Sequence, residues 1–520
     1  IDTTRYDPKA KIVGTLSYEL RAIRSGIPDV VVTDEQCIRA DTLRECSRLG
    51  IPVIASSEAA ARGLPDRTHE NPDVIVNDLV SGKAKGVFIR DPDRVGEIAV
   101  RVAIEMRRKK GKKPAFMSDE ELKAEIRKCT GCMGCVFACP HNLRIDRAME
   151  AAKNGDFSVF KEIEGSCIAC GRCEQACPRE IRIVDVIMKA SYDSLVNKTG
   201  KMRAGRGPVQ DTEIRNVGQP IVMGTIPGVI APIGCPNYPK SRKEVSEIIE
   251  EFLKRKYIVA TTGCHAMDLG MYKDEEGKSL YEKYPGSFDA GGLVNCGSCV
   301  SNPHISGAAI KIASIFAMRP LRANYAEIAD YILNRVGAVG LAWGPYSQKA
   351  ASIATGFNRL GIPAVVGPHA AKYRRAYIGK IWKREKWWVY DIKTKKRINV
   401  EPCPDALLIA AETKEEAIVQ LARLCIRPAD THMGRQIKLT HYIELSKKYL
   451  GCLPDDWHLY VRTEADLPLK MKEELLKILE DEHGWKIDWQ KKKILEGPIR
   501  HYDSGFNPTI LEEVFDKYAR

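Results

Sequence analysis

Gly228-Val-Ile-Ala-Pro-Ile-Gly-Cys235 is an apolar run that meets a glycine turn and stops at a cysteine. Two more runs are built the same way: Tyr257-Ile-Val-Ala-Thr-Thr-Gly-Cys264 and Gly292-Leu-Val-Asn-Cys-Gly-Ser-Cys299. A fourth, Asp29-Val-Val-Val-Thr-Asp-Glu-Gln-Cys37, lies far upstream. Short apolar runs that stop at turn residues read as buried parallel strands. Ligands of open α/β sheets gather at the carboxyl ends of such strands. Cys37, Cys235, Cys264 and Cys299 are therefore candidates for one shared inorganic centre. A lone cysteine at a strand end is usually a small buried hydrophobe, so the common context of the four carries the reading.

Outward from these runs, strands alternate with helical patterns, which predicts an α/β chain of two Rossmann-like, doubly wound domains. Residues 1–115 form the first, with strands over 29–34, 52–56 and 86–90 and helices over 42–49 and 95–108. The basic run Arg107-Arg-Lys-Lys-Gly-Lys-Lys113 reads as a linker. Residues 116–200 form a ferredoxin-like insert, followed by a glycine-rich connector over 200–207. Residues 216–425 form the second Rossmann-like domain, with strands over 229–233, 258–262, 293–295, 339–343, 364–367 and 406–411. Its helices are expected over 244–256, 307–316 and 347–360. Residues 426–520 are a charged, mostly helical C-terminal extension, with its clearest amphipathic stretch over 469–479.

At 520 residues and 44% hydrophobic content the chain can bury several cores. No stretch approaches the roughly 20 apolar residues of a membrane span. No signal peptide is visible, and the chain opens on Ile1-Asp-Thr-Thr rather than Met, so its true start is expected upstream. Seventeen cysteines without a secretory leader point to metal or redox chemistry in a reducing, anaerobic cytoplasm rather than to disulfides. The net charge is +13. Part of it lies between Lys372 and Arg397, interleaved with Tyr373, Trp382, Trp387 and Trp388. Basic residues among aromatics can bind single strands. No nucleic-acid motif accompanies them, and a solvated face or a docking face for an acidic protein is the expected use.

Cys129-x2-Cys132-x2-Cys135-x3-Cys139-Pro140 is followed by Cys167-x2-Cys170-x2-Cys173-x3-Cys177-Pro178. This is the bacterial ferredoxin signature written twice, in which the fourth cysteine of each motif serves the other cluster. Cys129, Cys132, Cys135 and Cys177 are the expected ligands of one [4Fe–4S] cluster, and Cys167, Cys170, Cys173 and Cys139 those of a second. The competing use is a pair of zinc sites. One-electron transfer follows from the clusters, but not the reaction they serve.

The stretches Val-Thr-Asp-Glu-Gln-Cys37-Ile, Ile-Gly-Cys235-Pro-Asn-Tyr-Pro, Ala-Thr-Thr-Gly-Cys264 and Cys-Gly-Ser-Cys299-Val-Ser-Asn resemble those of the nickel–iron carbon monoxide dehydrogenases. The ferredoxin insert resembles that of the archaeal members, the alpha-subunit type of acetyl-CoA decarbonylase/synthase complexes. The resemblance runs over about residues 25–370 and is weak for the tail. It implies interconversion of CO and water with CO2, two protons and two electrons at a [Ni–4Fe–4S] centre, the C-cluster. Cys37, Cys235 and Cys264 are then iron ligands and Cys299 the nickel ligand. The family's lysine in a Lys-Ala motif falls on Lys349 of Ser347-Gln-Lys349-Ala-Ala-Ser-Ile353, where it would stabilise the developing carboxylate. Ile353 falls on an apolar residue of the substrate pocket. The implied partners are a second copy in a homodimer core, a small epsilon accessory subunit, an acetyl-CoA synthase subunit and an external ferredoxin.

The family holds its iron outside the cubane with a histidine and a cysteine upstream of the position of Cys37, and further [4Fe–4S] clusters also use N-terminal cysteines. None of these is in this sequence, so an upstream segment, omitted or carried by a separate chain, is expected to complete the site. Cys296, three residues before Cys299, is a further departure and is expected beside the centre. Cys46, Cys403, Cys425 and Cys452 have no partner spacing and read as structural, as do His265 and His369. Two other functions compete: a nickel-free hybrid-cluster reductase of small nitrogen compounds, and a non-catalytic electron-transfer scaffold.

Overall fold

The computed structural model describes residues 7, 9–34, 38–111, 117–197, 205–207, 209–235, 238, 240–301, 303–322, 324–344, 348–368, 388–390, 394–399 and 404–497. By contact the chain divides into two compact units. One is residues 11–200 with 237–240, and the other is residues 201–236 and 241–520 with 1–10.

The first unit contains a three-stranded parallel sheet of β1 (Val31–Thr33), β2 (Val53–Ala55) and β3 (Gly86–Phe88), in that order. Ile54, Val87 and Ile89 are buried beneath Ile75 and Leu79 of the helix Pro72–Ser81 and Ile98 and Val102 of the helix Pro92–Lys110. Asp91 caps the latter by accepting from the amides of Asp93 and Arg94, with a proline in the first turn. The helix runs on through Arg107-Arg-Lys-Lys110, which corrects the linker reading of that basic run. Lys and Arg are good helix formers, and cations at a helix C-terminus meet the negative end of its dipole.

The eight-cysteine region belongs to this same unit. Leu20 of the helix Glu19–Arg24 shares a core with Leu122, Ile126, Met149, Phe160, Ile183 and Ile187. Beside it Arg24 pairs with Glu174 at 2.8 Å and Asp185 at 3.4 Å. Arg48 reaches the same Asp185 at 3.1 Å, and Arg21 pairs with Glu164. All but Glu174 and Arg48 are buried. Each buried cation faces a carboxylate, as burial of charge demands.

The second unit is built on a six-stranded parallel sheet of β4 (Val229–Ile233), β5 (Ile258–Thr261), β6 (Leu293–Asn295), β7 (Ala338–Trp343), β8 (Ala364–Gly367) and β11 (Leu408–Ala410). The spatial order β11-β8-β7-β4-β5-β6 places β4 at the centre, with later strands added first to one side and then to the other. This is the doubly wound order 3-2-1-4-5-6, and its switch point lies between β4 and β7. Every residue of β4, β5, β6 and β7 is buried, as expected where helices cover both faces. A separate antiparallel pair joins β9 (Trp388–Tyr390) to β10 (Arg397–Asn399), and Arg397 lies over the Trp388 ring at 4.2 Å. Residues 372–387 and 391–393 of the basic aromatic segment fall outside the described residues.

The C-terminal extension is part of the second unit. The helices Lys414–Cys425 and His432–Leu450 pack together. Arg427 between them donates to the carbonyls of Val336 (3.0 Å) and Ala338 (2.6 Å), which anchors the start of β7. Buried Asp430 accepts the ammonium of buried Lys438 at 2.5 Å and faces Arg435 at 3.4 Å. The extension also carries an antiparallel hairpin, β12 (Lys486–Asp488) with β13 (Lys493–Glu496), where the sequence read as mostly helix. Strands of three and four residues are too short for alternation to register. Among the described residues no helix is long and apolar enough to cross a membrane.

The ring of His441, on the helix His432–Leu450, lies tilted 5.5 Å from that of Tyr257, and its Nδ1 lies 3.3 Å from the Tyr257 hydroxyl. Burial first, and nearby Arg255 second, lower its pKa to about 4. The unfolded chain then binds a proton near pH 6.5 that the native state refuses until about 4. Stability is whole above pH 6.5 and falls by about 3 kcal/mol as the pH drops through this window. Denaturant titrations of His441→Gln should show a flatter slope between these pH values than the parent.

Candidate metal centres

Two cavities lie in the eight-cysteine region. One is lined by Cys129, Cys132, Cys135 and Cys177. The other is lined by Cys139, Cys167, Cys170 and Cys173. The crossing expected from the sequence is thus present in the geometry: the fourth cysteine of each motif lines the other motif's cavity. Among the described residues no three His, Cys, Asp or Glu converge as ligands of a single ion do.

The loops explain the cavities. Each motif wraps through left-handed residues, Gly131 and Met133 in the first and Ala169 and Gly171 in the second. After each Cys-Pro the chain turns at Asn142 or Glu180, both with φ of 51°. The turns return Ile145 and Ile183 to the shared core. Burial pushes the Cys135 and Cys167 thiols up to about 11, with neighbouring cysteines adding to the shift at Cys135. Burial raises Cys173 further. Such thiols do not ionise unaided at neutral pH, and metal binding supplies the deprotonation. The donor set therefore fits a bound cluster.

The other centre lies at the edge of the six-stranded sheet. Cys235 follows β4, Cys264 opens the helix Gly263–Met271 after β5, and Cys299 opens the turn Cys299–Ser301 after β6. Three adjacent parallel strands therefore deliver three cysteines to one edge, their carboxyl ends. Cys235 is buried and its amide donates to the Gly344 carbonyl at 2.8 Å. Gly263 has a φ of 63°, and a Cβ placed on it would lie 2.1 Å from the Cys299 sulfur. The Gly263 amide donates to the Gly297 carbonyl at 2.8 Å, which ties the β5 and β6 turns together.

His265 closes the other side. It is fully buried, and its Nε2 lies 2.6 Å from the Trp343 carbonyl at the end of β7. Burial lowers its pKa to about 4, so the neutral ring donates through Nε2. A Cβ on Gly234, just before Cys235, would lie 2.4 Å from this nitrogen and 2.2 Å from the Trp343 oxygen. Glycine is required there for close packing.

Lys349 is the second residue of the helix Gln348–Arg359, which follows β7 at the switch point. Its side chain lies outside the described residues. Ile353, one turn on, is half-buried against the sheet core. Cys37 and His369 lie outside the described residues, as does Cys403. Cys296 is fully buried, and burial pushes its thiol up to about 12. Cys46 and Cys425 are core residues, whereas Cys452 is exposed. The Arg24–Glu174–Asp185 cluster was not foreseen, because ion pairs so distant in sequence leave no local pattern.

The sequence model described as "Prismane/CO dehydrogenase family" matches residues 2–404. Over its full length the chain is 68% identical to acetyl-CoA decarbonylase/synthase complex subunit alpha 1 of Archaeoglobus fulgidus, of which it covers 65%. It is 54% identical, over 99% of its length, to subunit alpha of the same complex from Methanococcoides burtonii, again covering 65% of that protein. The chain thus spans about two thirds of the length of these curated relatives. A solved acetyl-CoA synthase/carbon monoxide dehydrogenase structure with NiZn[Fe4S4] and NiNi[Fe4S4] clusters aligns over 85% of this chain and 51% of its own. The identity there is 16% and the TM-score 0.40.

Proposed function

Because this chain belongs to the Prismane/CO dehydrogenase family, we propose that it interconverts CO and water with CO2, two protons and two electrons. It does so as a subunit of an acetyl-CoA decarbonylase/synthase complex, the assembly named for its relatives. The observation that carries this reading is the delivery of Cys235, Cys264 and Cys299 to one edge by three neighbouring strands, with the Lys349 helix leaving the next strand over.

On this reading Cys235, Cys264 and Cys299 would hold a Ni–Fe–S cluster, with Cys299 as the nickel ligand; Cys37, the fourth expected ligand, lies outside the described residues. Bound there, the cluster supplies Lewis acidity toward water and carbon monoxide and accepts the two electrons. The protein supplies the rest. Gly234 leaves room for the contact of His265 with Trp343, and Gly263 leaves room for the Cys299 sulfur. His265 stays neutral and fixes the β7 end against the helix that carries Cys264. Lys349 donates to the oxygens on which charge develops and Ile353 limits the pocket. Electrons leave through the two ferredoxin-type sites to an external ferredoxin.

Metal analysis with an activity assay tests the proposal. The metal-loaded protein should carry about eight irons for the ferredoxin motifs, several more for the sheet-edge centre, and nickel, and CO should drive viologen reduction. Iron without nickel would favour the hybrid-cluster chemistry. About eight irons and no CO-dependent reduction would leave only an electron carrier.

A further inference from the structure

The two ferredoxin motifs are an internal repeat offset by 38 positions, so each residue of one has a counterpart in the other. The backbones agree closely: Met133 and Gly171 have φ of 62° and 75°, and Asn142 and Glu180 both have 51°. The side chains do not agree. Where the second copy has Gly171, the first has Met133, 37% exposed and left-handed, a conformation glycine adopts at less cost. Where the second copy has exposed Gln175, the first has Phe137, 83% exposed. Where the second copy has Glu174, held by Arg24, the first has half-buried Val136. A cluster loop requires neither an exposed phenylalanine nor a methionine at a glycine-like position, since the second copy folds without them.

The surroundings differ in the same sense. Cys167, Ala169, Gly171 and Cys173 of the second loop are buried, whereas Thr130, Gly131, Cys132 and Met133 of the first are exposed. Electron transfer weakens steeply with distance, so the first loop is the one an external carrier can use. Phe and Met are enriched in the cores of protein interfaces, and redox encounters are small, so two apolar residues can dominate one. Arg127, two residues before Cys129, and Arg179, on the rim of the same cavity, are exposed. With the chain's net +13 they favour an acidic partner.

We propose that the first cluster loop, centred on Phe137 and Met133, is the docking surface for a small acidic one-electron carrier protein, and that the second cluster is the inner relay. The proposal rests on reading the eight cysteines as two [4Fe–4S] sites but needs neither nickel nor CO. Stopped-flow reduction of the oxidised, iron-loaded protein tests it, with a reduced two-cluster ferredoxin as one donor and dithionite as the other. Phe137→Gln, which installs the counterpart residue, should slow ferredoxin-driven reduction by about tenfold or more. Met133→Gly should slow it several-fold, and Gln175→Ala should leave it unchanged. All three should be reduced by dithionite at the parent rate with parent cluster spectra, and added salt should slow only the ferredoxin reaction. Ferredoxin rates for Phe137→Gln and Met133→Gly within about twofold of the parent would overturn the proposal. So would an equal slowing with dithionite, an equal loss in Gln175→Ala, or indifference to salt.

Discussion

Replacement of Lys349 by alanine is expected to slow CO-dependent electron release by about a hundred- to a thousandfold, the usual cost of removing one donor to a developing oxyanion. The argument begins with where the lysine stands. The helix Gln348–Arg359 starts at the carboxyl end of β7, and β7 pairs with β4, whose end carries Cys235. Lys349 occupies the first turn, where the helix dipole is positive and a cation is disfavoured by about 0.3–1 kcal/mol. Arg359 in the last turn obeys the rule that Lys349 breaks. Broken local rules concentrate where function outweighs stability. An ammonium there would offer three donors to carboxylate oxygens. Arginine should not rescue the variant, because its planar fork does not replace a compact point charge. Nickel and iron contents should stay at parent values. Gly356→Ala, on the same helix with nothing within 4 Å of the added carbon, should leave turnover unchanged. A Lys349→Ala protein with full metal and a rate within about tenfold of the parent would remove Lys349 from the chemistry.

What the sequence made legible was local. The strands at 229–233, 258–261 and 293–295 are short, apolar and closed by glycine turns, so their limits could be read almost to the residue. The ferredoxin spacing is equally local, and the expected crossing of its ligand sets follows from how short the first two intervals are. What stayed hidden depends on distant partners. The helix His432–Leu450 buries Arg435 and Lys438 against Asp430, and no local pattern in the charged extension marks these two cations from its others. Arg24 reaches Glu174 across 150 positions, and no periodicity announces that the N-terminal sheet and the eight-cysteine region form one compact unit. Phe137 stands where the second motif has Gln175, a difference legible only between the two copies and not within either.

Gly263→Ala should strip the sheet-edge centre of its metal while sparing the ferredoxin-type sites, and two independent costs lead to that result. At φ of 63° the backbone lies in the left-handed region, where an added Cβ costs on the order of 1 kcal/mol. The larger cost is steric. That Cβ would lie 2.1 Å from the Cys299 sulfur and 3.4 Å from its Cβ, so the sulfur has to leave its place. A core residue can repack around one extra methyl, but a metal ligand cannot, because its sulfur must stand at one bond length from one metal. The neighbouring turn offers little relief, since the Gly263 amide is already committed to the Gly297 carbonyl. Nickel and the iron in excess of about eight per chain should therefore be lost, and CO-dependent reduction with them. Dithionite-reducible iron in the eight-cysteine region should persist, because that region belongs to a different compact unit. Gly307→Ala, which meets nothing within 4 Å, separates this effect from a general response to losing a glycine in the same unit. Full nickel in Gly263→Ala would mean that Cys299 is not a ligand and that the centre, if it forms, is assembled from other residues.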